Sequence, residues 1–512
     1  MAYIVFALFS VAAGYVYYMV ALHPLAKYPG PFIAKLTNLY SVWHAIRGTR
    51  HSDLCFLHEK YGEFVRWGPN SISINNAKAL HEVHNSKANV QKSPWYTVGF
   101  FVNIFTAIDK DVHARKRRVM GHAFSDKAVR EMEPYMIGAV RDWCAALGDQ
   151  TNPTQGAFKH QWSAPKDMKE WGAYSVFDSM GELLFGRSFN TSSSKENLMF
   201  IDLLSNAIRL ANIVGQMPIL TRLHVDRIMF PDQHRKRHQL VAFAIASLKK
   251  RLSMGPDSNG RRDIVHHLQQ GRDPETGQGY SEQEMIGETV ILMQAALDTT
   301  HTALASTLYF LVHHPDILAR LTSSIRQNFD SVENIVSGAT LSSNTYLMAC
   351  IEEAMRLCPP VPTLLPRSVC SGGFQVLGHH FDEGTVIGIP TYALHHHRDY
   401  FDRPYEYDPL RWLVKEGTSD SGEGNSPEII ARQRQAFAPF SAGPRMCIAK
   451  NVALLELQLN LARVLFMYDI RMAPGTEHVG LGPHGEYKIK DHFVVAKEGP
   501  VLQFCPSKIA SV

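Results

Sequence analysis

Residues Phe437–Phe466 read FAPFSAGPRMCIAKNVALLELQLNLARVLF, and in them Cys447 sits between a loop-like run, Ser441-Ala442-Gly443-Pro444, and a strongly apolar helical segment. Two readings of this cysteine compete. In the plainer one a loop enters a core helix and the thiol packs as a small hydrophobe, since free cysteine is among the most buried residue types. In the other, the thiolate is a metal ligand held where a loop meets a helix N-terminus, a position that lowers a thiol pKa. Gly443 suits a tight loop with unusual dihedrals.

The chain around that stretch has 512 residues of ordinary globular composition and a formal charge of only +4. The length alone is a prior for two or three domains. No basic tract is long enough to suggest nucleic-acid binding. The seven cysteines form no CxxC and no paired framework. Such a scattered, odd set argues for free thiols in a reducing compartment.

Towards the N-terminus, MAYIVFALFSVAAGYVYYMVAL runs from Met1 to Leu22 without a charge. About twenty such residues cross a hydrocarbon core as a helix. Tyr3, Tyr15, Tyr17 and Tyr18 are compatible with interface positions. A cleaved signal peptide is the competing reading. The missing basic n-region and the length of the apolar run favour an uncleaved anchor. Lys27, Lys35 and Arg47 follow it, so the positive-inside rule puts the remainder in the cytosol. Asn190, which opens an Asn-Thr-Ser sequon, then meets no glycosylation machinery. HPLAKYPGPF contains Pro24, Pro29 and Pro31, which cannot continue a helix. The organisation expected is a membrane anchor over 1–22, a proline-rich elbow over 23–35 and one large domain over 36–512.

Inside that domain, the polar, Gly/Ser-rich stretch Lys415–Glu428 reads as a surface loop, and the segment around Gly255 is similar. Helical periodicity dominates between about residues 50 and 360, and β-like runs such as GGFQVLGHHF and TVIGIPTYAL follow Arg367. The coarse fold is therefore mainly α with a minor β part. One helix stands out. Ser281 and Glu284 are spaced as a capping box, and Pro315 stops the pattern. About 33 residues then span roughly 50 Å. Asp298, Thr299 and Thr300 interrupt its apolar middle. A charge there is costly unless it is paired or functional. Further on, Glu353 and Arg356 share a helix face, which is also the pattern of a routine surface salt bridge.

Taken together, these features resemble the cytochrome P450 family, the haem-thiolate monooxygenases. FSAGPRMCIA matches Phe-x-x-Gly-x-Arg-x-Cys-x-Gly/Ala; Glu353-x-x-Arg356 lies about 90 residues upstream; AALDTT lies about 60 residues before that; and YEYDPLRW stands where the family has its Pro-x-Arg segment. The elbow and loops look like those of fungal, membrane-anchored members. The resemblance implies haem as cofactor, with Cys447 as the axial ligand of the iron, a donor that pushes electron density toward O–O cleavage. By position, Phe440 shields the proximal face and Arg445 pairs a propionate, as do His113 and Arg117 from one helix face and Arg367 in LLPRSV. His113 occupies a place often held by tryptophan, and Ala449 replaces the commoner glycine. Glu353, Arg356 and Arg411 correspond to a buried ion triad, with Leu410 where many relatives have glutamate. Ala295 and Ala296 let the long helix pass close to the cofactor, and Asp298 and Thr299 resemble the acid–alcohol pair of proton delivery.

The chain shows no flavin or nicotinamide fingerprint, no Walker loop and no iron–sulfur cysteine set. The resemblance therefore implies an external donor, NADPH–cytochrome P450 reductase, and residence in the endoplasmic reticulum membrane as a single-pass protein. Arg115, Lys116, Arg118, Arg432, Arg434 and Lys450 are expected to offer a basic docking face, unless they are scattered solvated charges. Trp95, Tyr96, Phe100, Phe101 and Phe105 fall where the family lines its distal pocket, and FIDLLSNAIRLANIVGQMPIL is the expected second wall. Both are apolar, which favours a sizeable hydrophobic substrate: a terpenoid, polyketide or alkaloid in a fungal-type member. A haem-thiolate coupling or rearranging enzyme and a non-catalytic haem protein are the alternatives. A zinc hydrolase is set aside, because LHEVH spaces its histidines three apart and His395–His397 lack a carboxylate pattern.

Overall fold

In the computed structural model, which describes residues 1–99, 101–149, 161–255, 260–415, 423–482 and 485–508, the uncharged N-terminal segment is helical over Ala2–Tyr17 (α1) and continues as a π-helical turn over Tyr18–Leu22. Tyr3, Ile4, Phe6 and Phe9 are all exposed. A helix that is apolar all round yet has no buried residue has the character of a lipid-facing segment. Arg66 pins both the end of the anchor and the elbow to the body: its Nη1 donates to Met19 O at 2.7 Å and its backbone N–H to Pro29 O at 2.7 Å. The elbow is also shorter than the sequence suggests. Pro31 takes the N-cap position of a helical turn over Phe32–Leu36, where its missing N–H costs nothing.

The body is built from long helices, of which eight position the site: α2 (Lys110–Gly121), α3 (Asp126–Leu147), α4 (Met168–Phe185), α5 (Leu198–Gly215), α6 (Pro231–Ser253), α7 (Glu282–His313), α8 (Thr345–Leu357) and α9 (Lys450–Met467). The long helix α7 starts as its sequence requires. Ser281 Oγ accepts from Glu284 N at 3.2 Å, and Glu284 returns the contact to Ser281 N at 3.0 Å. It runs through the centre, buried almost continuously from Leu297 to Val312, and packs most extensively on α4. A Cβ at Gly172 of α4 would make ordinary van der Waals contact with His301 and Leu304 of α7. Trp143, Phe177, Leu304, Leu308, Leu461 and Leu465 belong to one core shared by α3, α4, α7 and α9.

The largest sheet of the minor β part is five-stranded in the order β1-β2-β5-β4-β3, with β1 Phe64–Gly68, β2 Ser71–Ile74, β3 Val90–Lys92, β4 Arg367–Val369 and β5 Val386–Gly388. Only β2 and β5 run parallel. A hairpin of β6 (Ile489–His492) and β7 (Val494–Lys497) turns at Phe493. The run TVIGIPTYAL is a strand only in its first half: Pro390 takes an N-cap position and Thr391–His395 is helical. Of the Gly/Ser-rich loop expected over 415–428, residues 416–422 lie outside the described residues.

Candidate active site

A cavity of about 380 Å³ separates α7 from the Cys447 loop. Ala295, Ala296, Thr299 and Thr300 line it from α7, and Phe440, Ser441, Arg445, Cys447 and Ala449 face them. The two motifs that are remote in sequence thus form opposite walls of one space.

The loop's geometry explains its residues. Gly443 has φ +67°, and a Cβ there would lie 1.8 Å from His84 O. Only glycine fits such a conformation and approach. Cys447 N donates to Phe440 O at 2.9 Å, closing the loop before α9 begins at Lys450. The thiol is accessible from the cavity while protein encloses it at longer range. That enclosure pushes its pKa up, and the Ala449 N–H, Arg117 and Lys450 pull it down. Arg117 donates from Nη1 to Met446 O at 2.8 Å, so it stands beside the sulfur.

Next to the loop lies a cluster of basic groups, in which Glu288 acts on Lys92 and Asp109 on Arg445 only at a distance. Burial lowers Lys92 well below its ordinary pKa, with Arg367 and Arg445 adding repulsion. Burial, then Arg445 and Lys92, push His113 down to about 3. Arg445 donates to Ala107 O at 2.5 Å and Ile108 O at 3.0 Å; Arg367 donates to Tyr96 Oη at 3.2 Å; Lys92 donates to Phe105 O. These partners are neutral, and Lys92, Arg367 and Arg445 make no ion pair among the described residues. Buried cations ordinarily demand anions. The cluster fits a ligand that brings carboxylates of its own, and a soft thiolate donor faces the same cavity.

A third group braces the loop from behind. Glu353 takes Arg356 in a two-pronged pair at 2.8 and 2.9 Å and Arg411 Nε at 2.8 Å, and it also accepts Trp412 Nε1 at 3.0 Å. All three charged groups are buried, so the surface salt bridge is excluded. His395, dismissed as a zinc ligand, joins this group to the Cys447 loop. Its Nε2 accepts Ala438 N at 3.0 Å, which leaves Nδ1 to donate to Arg356 O at 3.2 Å.

On α7 the expected acid–alcohol pair diverges. Thr299 lines the cavity and donates from Oγ1 to Ala295 O at 2.6 Å. Asp298 is buried towards α5, where its Oδ1 accepts Ser205 Oγ at 2.8 Å. Burial raises its pKa, opposed by the Ser205 bond and by Lys497.

The family model of cytochrome P450 matches residues 26–480. The chain belongs to the cytochrome P450 family. Among curated proteins it is 35% identical to the cytochrome P450 monooxygenase poxM of Penicillium oxalicum over 493 residues, covering 96% of this chain and 92% of that one. It is 30% identical over 462 residues to a trichothecene C-4 hydroxylase of Trichoderma arundinaceum, covering 89% and 88%. In fold it matches the crystal structure of the cytochrome P450DA haem domain, with a TM-score of 0.73 at 17% identity over 94% of this chain and 98% of that one. Haem is the cofactor of this family and fold, and its enzymes are monooxygenases.

Within this cytochrome P450, several expectations are redistributed. Trp95, Phe101 and Phe105 line the cavity, whereas Tyr96 turns to Arg367 and Lys92; Phe100 lies outside the described residues. The second expected wall is real: Ala207, Ile208 and Ala211 of α5 line the cavity. The basic docking face is largely spent. Arg115 and Lys116 pair with Glu284, Lys116 also reaches Glu288 at 3.1 Å, Arg118 holds Asp273 and Arg434 holds Glu352. Lys116 is buried, so the basic run is an internal clamp between α2 and α7. Arg432 stays exposed, and Lys450 lies over the Phe440 ring at 5.8 Å. Sequence reasoning missed Lys92, His84, His395 and Ser205. His84 and His395 stood in histidine motifs set aside as zinc patterns, Lys92 and Ser205 in unremarkable contexts, and only tertiary contacts give each its role.

Proposed function

We propose that the protein is a membrane-anchored monooxygenase of secondary metabolism that oxidises a hydrophobic small molecule with electrons from NADPH–cytochrome P450 reductase. The endoplasmic reticulum is its membrane and the catalytic domain faces the cytosol. One observation carries the site reading: the cavity has the Cys447 thiol on one wall, Thr299 on the other, and at its edge a cluster of basic groups that make no ion pair among the described residues. Haem bound there supplies oxygen activation through a thiolate-ligated iron. Cys447 holds the metal, with the Ala449 N–H and Arg117 beside its sulfur favouring the thiolate. Lys92, Arg367 and Arg445, with His113, take the propionates. Glu353, Arg356 and Arg411 keep the loop in place. Ala295 and Ala296 leave room on α7, Thr299 offers its oxygen to the cavity, and Asp298, hydrogen-bonded to Ser205 behind it, would hold a proton there. Trp95, Phe101 and Phe105 exclude water from an apolar substrate. The similarity to a trichothecene C-4 hydroxylase supports hydroxylation over coupling or rearrangement.

The test begins with purified, reduced protein under carbon monoxide, which is expected to give the red-shifted Soret band of a thiolate-ligated complex. Cys447→Ala is expected to abolish both that band and most of the haem retention. A normal band in that variant removes Cys447 from the site. With the substrate found by mass-spectrometric screening, ¹⁸O₂ label in the product is expected. Unlabelled hydroxylated product argues against oxygen insertion from O₂.

A further inference from the structure

Lys497, in strand β7 of the hairpin, is a buried amine that makes no ion pair within 4 Å among the described residues. Its Nζ donates to Thr302 Oγ1 at 2.8 Å, and Thr302 Oγ1 donates onward to Asp298 O at 2.6 Å. Asp298 and Thr302 are four residues apart on α7, so they share a helix face and the lysine docks one turn along from the Asp298 carboxyl. Ser205 of α5 holds that carboxyl from the other side. The remaining groups that face Lys497 do not neutralise it. Cys358, which caps α8, is a thiol whose pKa burial pushes up to about 12. His301 of α7 is kept neutral, because burial and then Lys497 itself depress it well below its ordinary value. Lys169 repels, and Asp167, which caps α4 by accepting Lys169 N at 2.9 Å, is only half-buried. Asp298 is left as the fully buried acid facing the lysine. Burial drives the acid up and the lysine down, and each group opposes that drift in the other.

A buried carboxyl with no cation near it stays protonated and parts with its proton only at high pH. An ammonium one helical turn away lowers that cost, and a low-dielectric interior lets it act over a distance at which an exposed pair would be screened. Asp298 is also the residue before Thr299, whose oxygen faces the cavity. We propose that Lys497 is a positioning residue of the monooxygenase, its ammonium setting the proton occupancy of Asp298 so that this acid both holds and releases a proton near neutral pH. This deepens the monooxygenase reading and rests on it.

The experiment follows the C=O stretch of the protonated Asp298 carboxyl in the full-length holoenzyme by infrared spectroscopy across pH, the band being assigned by its loss in Asp298→Asn. Lys497→Met and Lys497→Gln are expected to raise its midpoint by about one pH unit or more, the worth of a nearby opposite charge to a carboxyl. Lys497→Arg is expected to keep it near the wild-type value. Thr302→Val removes the neutral partner of Nζ and leaves the charge, so it is expected to move the midpoint less. The pH dependence of product formed per NADPH oxidised is expected to follow the carboxyl in each variant. The thiolate band of the reduced carbonyl complex checks that each is folded, and Lys497→Gln keeps a polar head for Thr302 where Lys497→Met disturbs the hairpin. An unmoved midpoint in the folded Lys497 variants overturns the proposal. So does a shift in Thr302→Val as large as theirs, which would make Lys497 a brace for α7 only. A moved midpoint with an unmoved coupling profile also overturns it, since the charge would then act on an acid outside the proton step. Conversely, a midpoint that moves as expected with a product that carries no ¹⁸O leaves the charge pairing standing and removes the reaction.

Discussion

Thr299 commits its proton to its own helix: Oγ1 donates to Ala295 O at 2.6 Å, so only its lone pairs face the cavity. It therefore accepts a proton-bearing partner rather than supplying one directly. Thr299→Ala keeps the helix, since alanine is the best helix former. Folding and haem content are expected to be unchanged, while product formed per NADPH oxidised falls severalfold. An unchanged ratio would show that the hydroxyl has no part in proton handling. Lys92 gives a prediction of mixed sign. Its amine is buried over the Tyr96 and Phe105 rings at 4.8 and 5.1 Å, beside two arginines. Lys92→Met removes an unpaired buried charge, so the haem-free protein should be no less stable. Haem should be held about ten- to a hundredfold less tightly, the loss of one hydrogen bond to a charged group. Weaker folding with unchanged haem retention would place Lys92 in the scaffold alone. Cys447, Thr299 and the Glu353–Arg356 pair were legible in the sequence because their spacing along one loop or helix carries their role. Lys92 was not, because its role comes from Arg367 and Arg445, several hundred residues away in the chain.

At the scale of elements, α7 was legible almost to the residue. Its capping box and the stop at Pro315 are local chemistry, and Glu282–His313 is what forms. The brace behind the Cys447 loop was legible only in part. The ion triad was expected, but the link from triad to loop runs through His395, at the end of the short helix Thr391–His395. The fixed tautomer makes a specific demand: one ring nitrogen must accept from Ala438 N while the other donates to Arg356 O. His395→Phe fills the volume and supplies neither. It is expected to cost about 1–3 kcal/mol in chemical denaturation, the penalty of stranding buried backbone groups, and to convert part of the reduced carbonyl complex from the thiolate form to the thiol form. His395→Gln, which can both donate and accept, should recover much of both. If His395→Phe left the denaturation midpoint and the carbonyl spectrum intact, the bridge would contribute nothing to the loop. The basic run of α2 shows the opposite failure of sequence reading. A string of cations looks like a surface until Glu284 and Glu288 of α7 are brought against it.

Over the whole molecule, the fold holds several histidines neutral, and this sets its response to acid. Burial is the leading cause in each case, depressing His58 to about 4 and His84, His113 and His395 to about 3. A group whose folded pKa lies below its unfolded value of about 6.5 contributes stability that is fully present above that value and is lost as pH falls. Two buried acids oppose the trend. Burial raises Glu456 to about 8 and also raises Asp298, so each is protonated more readily in the fold than in the unfolded chain. Through these six groups alone, near pH 5.5 the unfolded state then binds roughly two to three more protons than the native state. Stability falls by about 3–4 kcal/mol per pH unit, a large share of the usual 5–15 kcal/mol. The measurement is urea denaturation at pH 7.5 and 5.5. His58 isolates one contributor away from the cavity, where its ring bonds Gly62 O at 2.8 Å and Ser73 Oγ at 2.7 Å. His58→Gln should lower stability at pH 7.5 by losing part of that pair, yet narrow the difference between the two pH values by about 1 kcal/mol, one proton's worth over a pH unit. A variant with the same pH difference as wild type would show that His58 is not held neutral by the fold, and a wild type equally stable at both values would mean that the buried acids balance the histidines.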